Sequence, residues 1–347
     1  MLNDNYQIFL FEPQSATDDD WERFNQFTTQ IQLETMPDDP PRPVHETRRL
    51  WLNIPSIVQR KAWLMSRPDQ AVVAMGWSEI FTEGNNQHLL SLHIAVLPEV
   101  RQQGAARQLL GYLYDYGRQH NRRLALFETN GRVPAGAAFM DRLGATAGIA
   151  GHVNQLNLAE LNLPLLQQWI ERAAERATDY QLGLWDGPYP PEVLPAIVKV
   201  KEAMNEAPID NLEVEDFDWT PEQLAQLDQT MIQRGVGRWT IYAQHKGNGD
   251  LAGYTEIFWD PSKPHIAQQG DTAVLKAHQN HGLGRWLKAT MLQKVMSDRP
   301  GTKFVRTSNA DSNAPMRKIN HELGFKPYRA NTIWQIELNQ IATYLAH

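Results

Sequence analysis

The stretch Thr272-Ala273-Val274-Leu275-Lys276-Ala277-His278-Gln279-Asn280-His281-Gly282-Leu283-Gly284-Arg285 joins a strand-like run to a helical pattern through Trp286, Leu287, Thr290 and Met291. Such a junction suits an anion. Glycines let the backbone turn tightly, and the first amides of a helix point outward with the positive end of its dipole. A phosphate or pyrophosphate is the natural guest. Two familiar phosphate loops can be set aside. No Gly-Lys-Ser/Thr follows four variable residues after a glycine, as a Walker loop needs. Leu287 stands where the dinucleotide fingerprint needs its third glycine. What remains is an Arg/Gln-x-x-Gly-x-Gly/Ala loop, written here as Gln279-x-x-Gly282-x-Gly284.

The elements that must hold this loop occur twice. Gly76-Trp77-Ser78-Glu79-Ile80-Phe81 returns as Gly253-Tyr254-Thr255-Glu256-Ile257-Phe258, and Arg101-x-x-Gly104-x-Ala106 returns as Gln279-x-x-Gly282-x-Gly284. Tyr6-Gln7 and Tyr180-Gln181, Leu143-Gly144 and Leu323-Gly324, and Gln155-Leu156 and Gln335-Ile336 recur in the same order, at a spacing of roughly 175–180 residues. Two homologous halves follow. In the second, strands are expected at 181–185, 239–244, 252–259, 271–275, 304–307 and 332–338. Helices are expected through Val193, Ile197, Val200 and Met204, from the Thr220 cap to Gly235, and at 282–296 and 313–323. This is an α/β (α+β) chain of two tandem domains, each a mixed, mostly antiparallel sheet flanked by helices. The expected division is 1–160, a linker helix at 161–178, and 179–347.

Composition narrows the function. The 347 residues carry 33 Lys and Arg against 40 Asp and Glu, a net charge of −7, which argues against a nucleic-acid partner. There is no cysteine, so disulfides, thiolate metal sites and cysteine nucleophiles are excluded. No apolar run approaches the ~20 residues of a membrane span, and no signal peptide is visible at Met1. A cytoplasmic location is expected, as monomer or homodimer.

With the loop, its preceding strand, and the later segment Asn309-Ala-Asp-Ser-Asn313-Ala-Pro-Met316-Arg-Lys-Ile319-Asn320-His-Glu-Leu-Gly324-Phe325 in view, the sequence resembles the GNAT acetyltransferase superfamily, and within it the tandem, mycothiol-synthase-like members. The resemblance covers nearly the whole chain, once per half. It implies acetyl-CoA as cosubstrate, bound by Thr272, Ala273, Val274, Gln279, Asn280, His281, Gly282, Leu283, Gly284, Arg285 and Asn313. A second cofactor site is implied at Ile94, Val96, Arg101, Gly104 and Ala106. The first half departs from the pattern, with Val133 in place of Asn313 and Ala145 in place of Phe325, so the second half is expected to be the active one.

The implied reaction is N-acetylation of a small primary amine by direct attack on the thioester. The alternative is a non-catalytic CoA-binding scaffold. The amine must be neutral to attack, and for a lysine-like pKa this costs about 4–5 kcal/mol at pH 7. Glu256 is the first candidate base, with Glu79 its counterpart, and Asp271 and Gln268 come next. Many relatives protonate the leaving thiolate with a Tyr five residues before the final Phe; here that position holds Asn320, and Met140 in the first half. His278 and His281, with Lys276, Arg285 and Lys288, are read as phosphate neutralisers. They lack a third ligand at a recognisable spacing, so no metal is expected. The acidic runs Asp18-Asp19-Asp20 and Glu213-Val214-Glu215-Asp216 read as solvated loops or attractors of a cationic substrate.

Overall fold

The computed structural model describes residues 6–347. In chain order its elements are β1 (Gln7–Phe11), α1 (Asp18–Thr35), α2 (Val44–Leu52), β2 (Val58–Ser66), β3 (Val72–Phe81), β4 (Leu89–Val96), α3 (Ala105–Gln119), β5 (Leu124–Asn130), α4 (Pro134–Leu143), β6 (Thr146–Asn157), α5 (Leu163–Arg176), β7 (Tyr180–Asp186), α6 (Leu194–Lys201), α7 (Pro221–Gln233), β8 (Gly237–His245), β9 (Leu251–Trp259), β10 (Ile266–Val274), α8 (Leu283–Asp298), β11 (Phe304–Ala310), α9 (Ala314–Leu323), β12 (Lys326–Glu337) and α10 (Leu338–Ala346). The tandem pattern read from the sequence is present, and α10 is the element it did not announce. α7 begins where the cap chemistry puts it: Thr220 accepts from the Gln223 amide, and the Gln223 side chain returns the bond.

The chain forms two compact units, and neither is a contiguous half. The first comprises Met1–Ala150, Ile209–Glu215 and Ala330–His347; the second comprises Gly151–Pro208 and Asp216–Arg329. Within the first unit the strand order is β1-β2-β3-β4-β5-β12, and within the second it is β6-β11-β10-β9-β8-β7. In the first, Asn331–Glu337 of β12 pairs antiparallel with Leu124–Asn130 of β5. In the second, Gly151–Asn157 of β6 pairs antiparallel with Phe304–Ala310 of β11. The halves expected at 1–160 and 179–347 have therefore exchanged their last strands. Homology explains why this is possible: β6 and β12 carry matching Gln-Leu and Gln-Ile pairs, so either strand fits either sheet.

The core of the second unit packs α5 and α8 on one face of the sheet. Leu166 and Trp169 meet Leu283, Leu287, Met291, Leu292 and Val295 over Ile257, Ala267 and Val305. On the other face Ile197, Val200 and Leu224 from α6 and α7 cover Tyr254 and Ala273. In the first unit, Trp21, Phe24 and Phe27 of α1 pack on the strands with Leu109 of α3. Burial of these side chains is the main stabilising term, about 1.5–3 kcal/mol for each large apolar residue. The run Glu213–Glu215 is not a free solvated loop. Glu213 pairs with Arg123 at 2.6 Å, and the Glu215 amide donates to Asn86 Oδ1 at 2.8 Å.

Candidate active site

Each unit contains the same device, two parallel strands that pair briefly and then part. In the second unit Ile266–Gln268 of β10 pairs with Phe304–Arg306 of β11, and the ladder stops there. In the first unit Leu89–Leu92 of β4 pairs with Leu124–Phe127 of β5 in the same way. Beyond the parting lies a cleft. In the second unit it measures ≈ 560 Å³, and Asp271, Thr272, Ala273, Val274, Gln279 and Asn313 line it, whereas Asn280, His281, Gly282, Leu283, Gly284 and Arg285 do not. In the first it measures ≈ 330 Å³, and all five residues of the expected second site line it: Ile94, Val96, Arg101, Gly104 and Ala106.

The glycine loop lines the cleft in the first unit, whereas in the second Gln279 alone of the loop lines it, and His281 and Gly282 border a neighbouring hollow; the two loops share one backbone. Gly282 has φ 82° and Asn280 φ 67°; Gly104 has φ 98° and Gln102 φ 60°. These left-handed residues are what the glycines supply. The first helical bond runs from Trp286 N to Gly282 O, and from Gln108 N to Gly104 O in the first unit. The amides before it are the orphan donors of a helix start, which is where an anion sits. The first motif position works through its side chain. Gln279 Nε2 donates to Val274 O at 3.3 Å, and Arg101 Nε donates to Val96 O at 3.0 Å, each pinning the loop to the end of its strand.

Several expected cofactor residues have other duties. The Leu283 side chain lies in the core at 1% exposure, leaving only its backbone to a ligand. Arg285 pairs with Glu322 at 3.0 Å and stands 5.3 Å over the Trp169 ring. Asn313 caps α9 by accepting from Met316 N at 3.3 Å. His281 and Gly282 border a smaller hollow with Arg172 and Arg176 of α5. His278 Nδ1 lies 3.0 Å from Tyr180 Oη.

Glu256 is not at the cleft. It is 2% exposed and faces α6, in a ring of polar groups. Tyr189 Oη donates a short hydrogen bond to it, Lys201 Nζ lies 3.1 Å away, Thr240 Oγ1 donates at 3.2 Å, and Arg238 stands at 3.5 Å. Arg238 is itself clamped by Asp228 at 2.8 Å. Burial alone would raise the Glu256 pKa; Lys201, Arg238 and the Tyr189 bond more than offset this and hold it below the usual carboxylate range. A carboxylate so enclosed has no route to an incoming amine.

Asp271 does reach the cleft, which Glu206 also lines. A register shift between Gln269 and Thr272 puts a bulge in β10, and a bulge re-aims the residues it carries. The Asp271 side chain is 43% exposed, accepts from Tyr254 Oη at 3.0 Å, and lies 3.5 Å from Lys201 Nζ. Lys201 thus joins the buried Glu256 to the exposed Asp271. Lys201, Tyr189, Arg238, Tyr254 and Asp228 were missed in the sequence. A signal existed: Lys201 follows Ile197 by one helical turn, and Asp228 follows Leu224 likewise, which places charges on apolar stripes.

The corresponding place in the first unit is chemically different. His93 stacks on Trp77 at 3.7 Å with an 8° interplanar angle. Burial, helped by Arg60, pulls its pKa down to about 4, so it is neutral at physiological pH. Glu79 is paired with Arg60 at 2.8 Å.

Among the described residues no helix is long and apolar enough to cross a membrane, and no group of three or more His, Asp or Glu is placed to hold a metal. The acetyltransferase (GNAT) family model matches residues 25–145 and 202–325. No curated protein matches the chain. Solved structures share the fold. A tandem GNAT protein from the clavulanic acid biosynthesis pathway aligns at 23% identity over 96% of this chain and 98% of its own, with a TM-score of 0.78. A GCN5-related N-acetyltransferase from Sphaerobacter thermophilus aligns at 16% over 97% of each chain, TM-score 0.67. Saccharomyces cerevisiae N-myristoyltransferase with bound myristoyl-CoA aligns at 10% over 97% of this chain and 83% of its own, TM-score 0.60. The chain, with one matched segment in each half, belongs to the acetyltransferase (GNAT) family.

Proposed function

We propose that the protein transfers the acetyl group of acetyl-CoA to a small primary amine, and that the second unit does so. The observation that carries this reading is Asp271, a half-exposed carboxylate on the β10 bulge, at a cleft that Gln279, the first residue of the glycine loop, also lines. The loop amides from Gly282 would take the pyrophosphate. The pantetheine arm would run along the β10 edge left open by the parting of β11. Backbone amides at Thr272–Val274 would polarise the thioester carbonyl, as an oxyanion site does.

The acceptor arrives as an ammonium. Asp271 attracts and orients it, and accepts its proton, directly or through a water, as nitrogen attacks the thioester. Lys201 and Tyr254 hold the Asp271 carboxylate in place; Glu256 in turn fixes Lys201. Glu256 is thus a positioning residue, and the base role expected for it passes to Asp271. The first unit's cleft is read as a second CoA site without turnover, because His93 is stacked and neutral where Asp271 stands in the second.

The test is an acetylation assay over an amino sugar, a polyamine, an aminoglycoside and an amino-acid amide, with wild type and Asp271→Asn. Amide product from the wild type and a loss of roughly 10²-fold or more in Asp271→Asn support the reading. Equal rates in both remove Asp271 from the mechanism.

A further inference from the structure

We infer that Lys288 is the acid that protonates the departing CoA thiolate in the second unit, an inference that rests on the acetyl-transfer reading above. A thiol with a pKa of about 8.5 leaves more readily if a proton or a cation meets the sulfur. The position five before Phe325, where relatives carry a Tyr, holds Asn320, whose Nδ2 is donated to Asn309 Oδ1 at 2.7 Å. An amide cannot supply the proton. Among the described residues lining the cleft, Thr272, Thr307 and Ser308 offer only weakly acidic hydroxyls, and Asp271 and Glu206 are carboxylates. The remaining dissociable proton belongs to Lys288.

Its placement fits. Lys288 lies one helical turn past Gly284 on α8, about 6 Å further along the helix axis. It is 1% exposed yet lines the cleft. The Phe325 ring centroid lies 6.0 Å from its Nζ. Other charged groups near α8 are turned elsewhere. Arg285 pairs with Glu322; Arg306 of β11 donates to Gln155 and covers Tyr328; Arg172 and Arg176 of α5 border the outer hollow; Arg238 and Glu256 lie in the network facing α6. Packing alone does not call for an amine, because the aligned residue of the first unit is Leu110, fully buried. Desolvation pulls the Lys288 pKa down to about 7, within reach of a thiol and near the pH at which an acid is most effective.

The step balances. The amine lone pair forms the C–N bond, the C–S pair goes to sulfur, and one proton passes from Lys288 Nζ to that sulfur. CoA thiol and neutral Lys288 result; the acceptor ammonium sheds two protons in becoming the amide, one passed through Asp271 to solvent before attack and one taken by Asp271 as the C–N bond forms, and Lys288 regains a proton from solvent once CoA departs.

CoA itself is the probe. Its thiol is titrated by ultraviolet thiolate absorbance when bound to wild type, Lys288→Leu and Lys288→Arg, with binding checked by calorimetry. The Lys288→Leu variant copies the first unit and relieves a buried cation, and the difference between proteins cancels any signal from the first unit. The bound thiol should ionise about one unit or more lower in wild type and Lys288→Arg than in Lys288→Leu, as for an opposite charge within hydrogen-bonding range. Acetyl transfer by Lys288→Leu should fall at least ~10-fold and lose its decline above the lysine pKa. Identical thiol titrations in all three, with CoA bound, would overturn the assignment. Failure of CoA to bind the second unit at all would overturn the acetyl-transfer reading first, and this inference with it.

Discussion

Lys201 Nζ stands 3.5 Å from Asp271 Oδ2, while the same nitrogen is 3.1 Å from Glu256 Oε2. One ammonium therefore serves two carboxylates of unequal exposure, 43% for Asp271 and 3% for Glu256. Their roles separate accordingly. The exposed one can meet a substrate, and the buried one holds the ammonium in place.

The two carboxylates should therefore fail differently. Asp271→Asn is expected to lower kcat by about 10²–10⁴-fold with little change in unfolding free energy. Glu256→Gln leaves Lys201 and Arg238 without their shared counter-charge, and should destabilise the protein by about 3–5 kcal/mol in a denaturant titration. A Glu256→Gln protein of wild-type stability would show that the ring of polar groups is not an ion-pair network.

The Glu256 pKa also fixes a pH response. Because it lies below the unfolded value, its contribution is present above the ordinary carboxylate range, near pH 4.5, and is lost as pH falls through the folded pKa. Acid denaturation should thus be shifted to higher pH in Glu256→Gln than in wild type. Circular dichroism over a pH series below 5 measures it.

Lys288 has a pH slope of the same sign in a different window, where its charged form is the destabilising one. Its folded pKa, about 7, lies below the ordinary lysine value of 10.5, so between these limits the unfolded chain binds more protons. Stability should rise with pH across that window, at up to about 1.4 kcal/mol per unit. The slope should flatten in Lys288→Leu; an unchanged slope would place the titration on another group.

The anion loop can be tested where backbone strain does not intervene. Gly282 has φ 82°, so any side chain there is strained, whereas no heavy atom lies within 4 Å of a Cβ built on Gly284. Ala106 occupies that place in the first unit. Gly284→Ala should bind CoA nearly normally, while Gly284→Val should fold and bind at least ~10-fold more weakly by calorimetry, because the branched side chain stands before the amides. Wild-type affinity in Gly284→Val would move the pyrophosphate elsewhere.

Strand exchange predicts the outcome of cutting the chain. Residues 179–347 alone lack β6 and α5, and so lose Leu156, Leu166 and Trp169 from the core of the second unit. The edge of β11 is left open, a site for aggregation. That fragment should be insoluble or self-associated in size-exclusion chromatography, and a fragment starting at Gly151 should behave better. Equal behaviour of the two would contradict a structural role for β6.

The fold and loops were legible because they rest on local chemistry. Gln279, Gly282 and Gly284 announce a turn and a helix start whatever surrounds them, and Thr220 announces its helix. The partner of β12 was not legible, since β6 and β12 carry equivalent patterns and pairing depends on the path of the chain. The placement of Glu256 was hidden for a related reason. Alternation puts Tyr254 and Glu256 on one face but does not say which helix covers it. Asp271 owes its aim to a bulge, which inserts residues out of the strand's period and so escapes a period-two reading. Lys288 lay in plain view on an otherwise apolar helix face.

The most direct test of acetyl transfer in the second unit is mass-spectrometric detection of N-acetyl product. Acetyl-CoA is supplied with the amine panel to wild type, Asp271→Asn and a first-unit variant, Ala106→Val. Product should form with wild type and with Ala106→Val and fall by about 10²-fold or more with Asp271→Asn. Product lost with Ala106→Val and kept with Asp271→Asn, both folded, would contradict the account and move catalysis to the first unit.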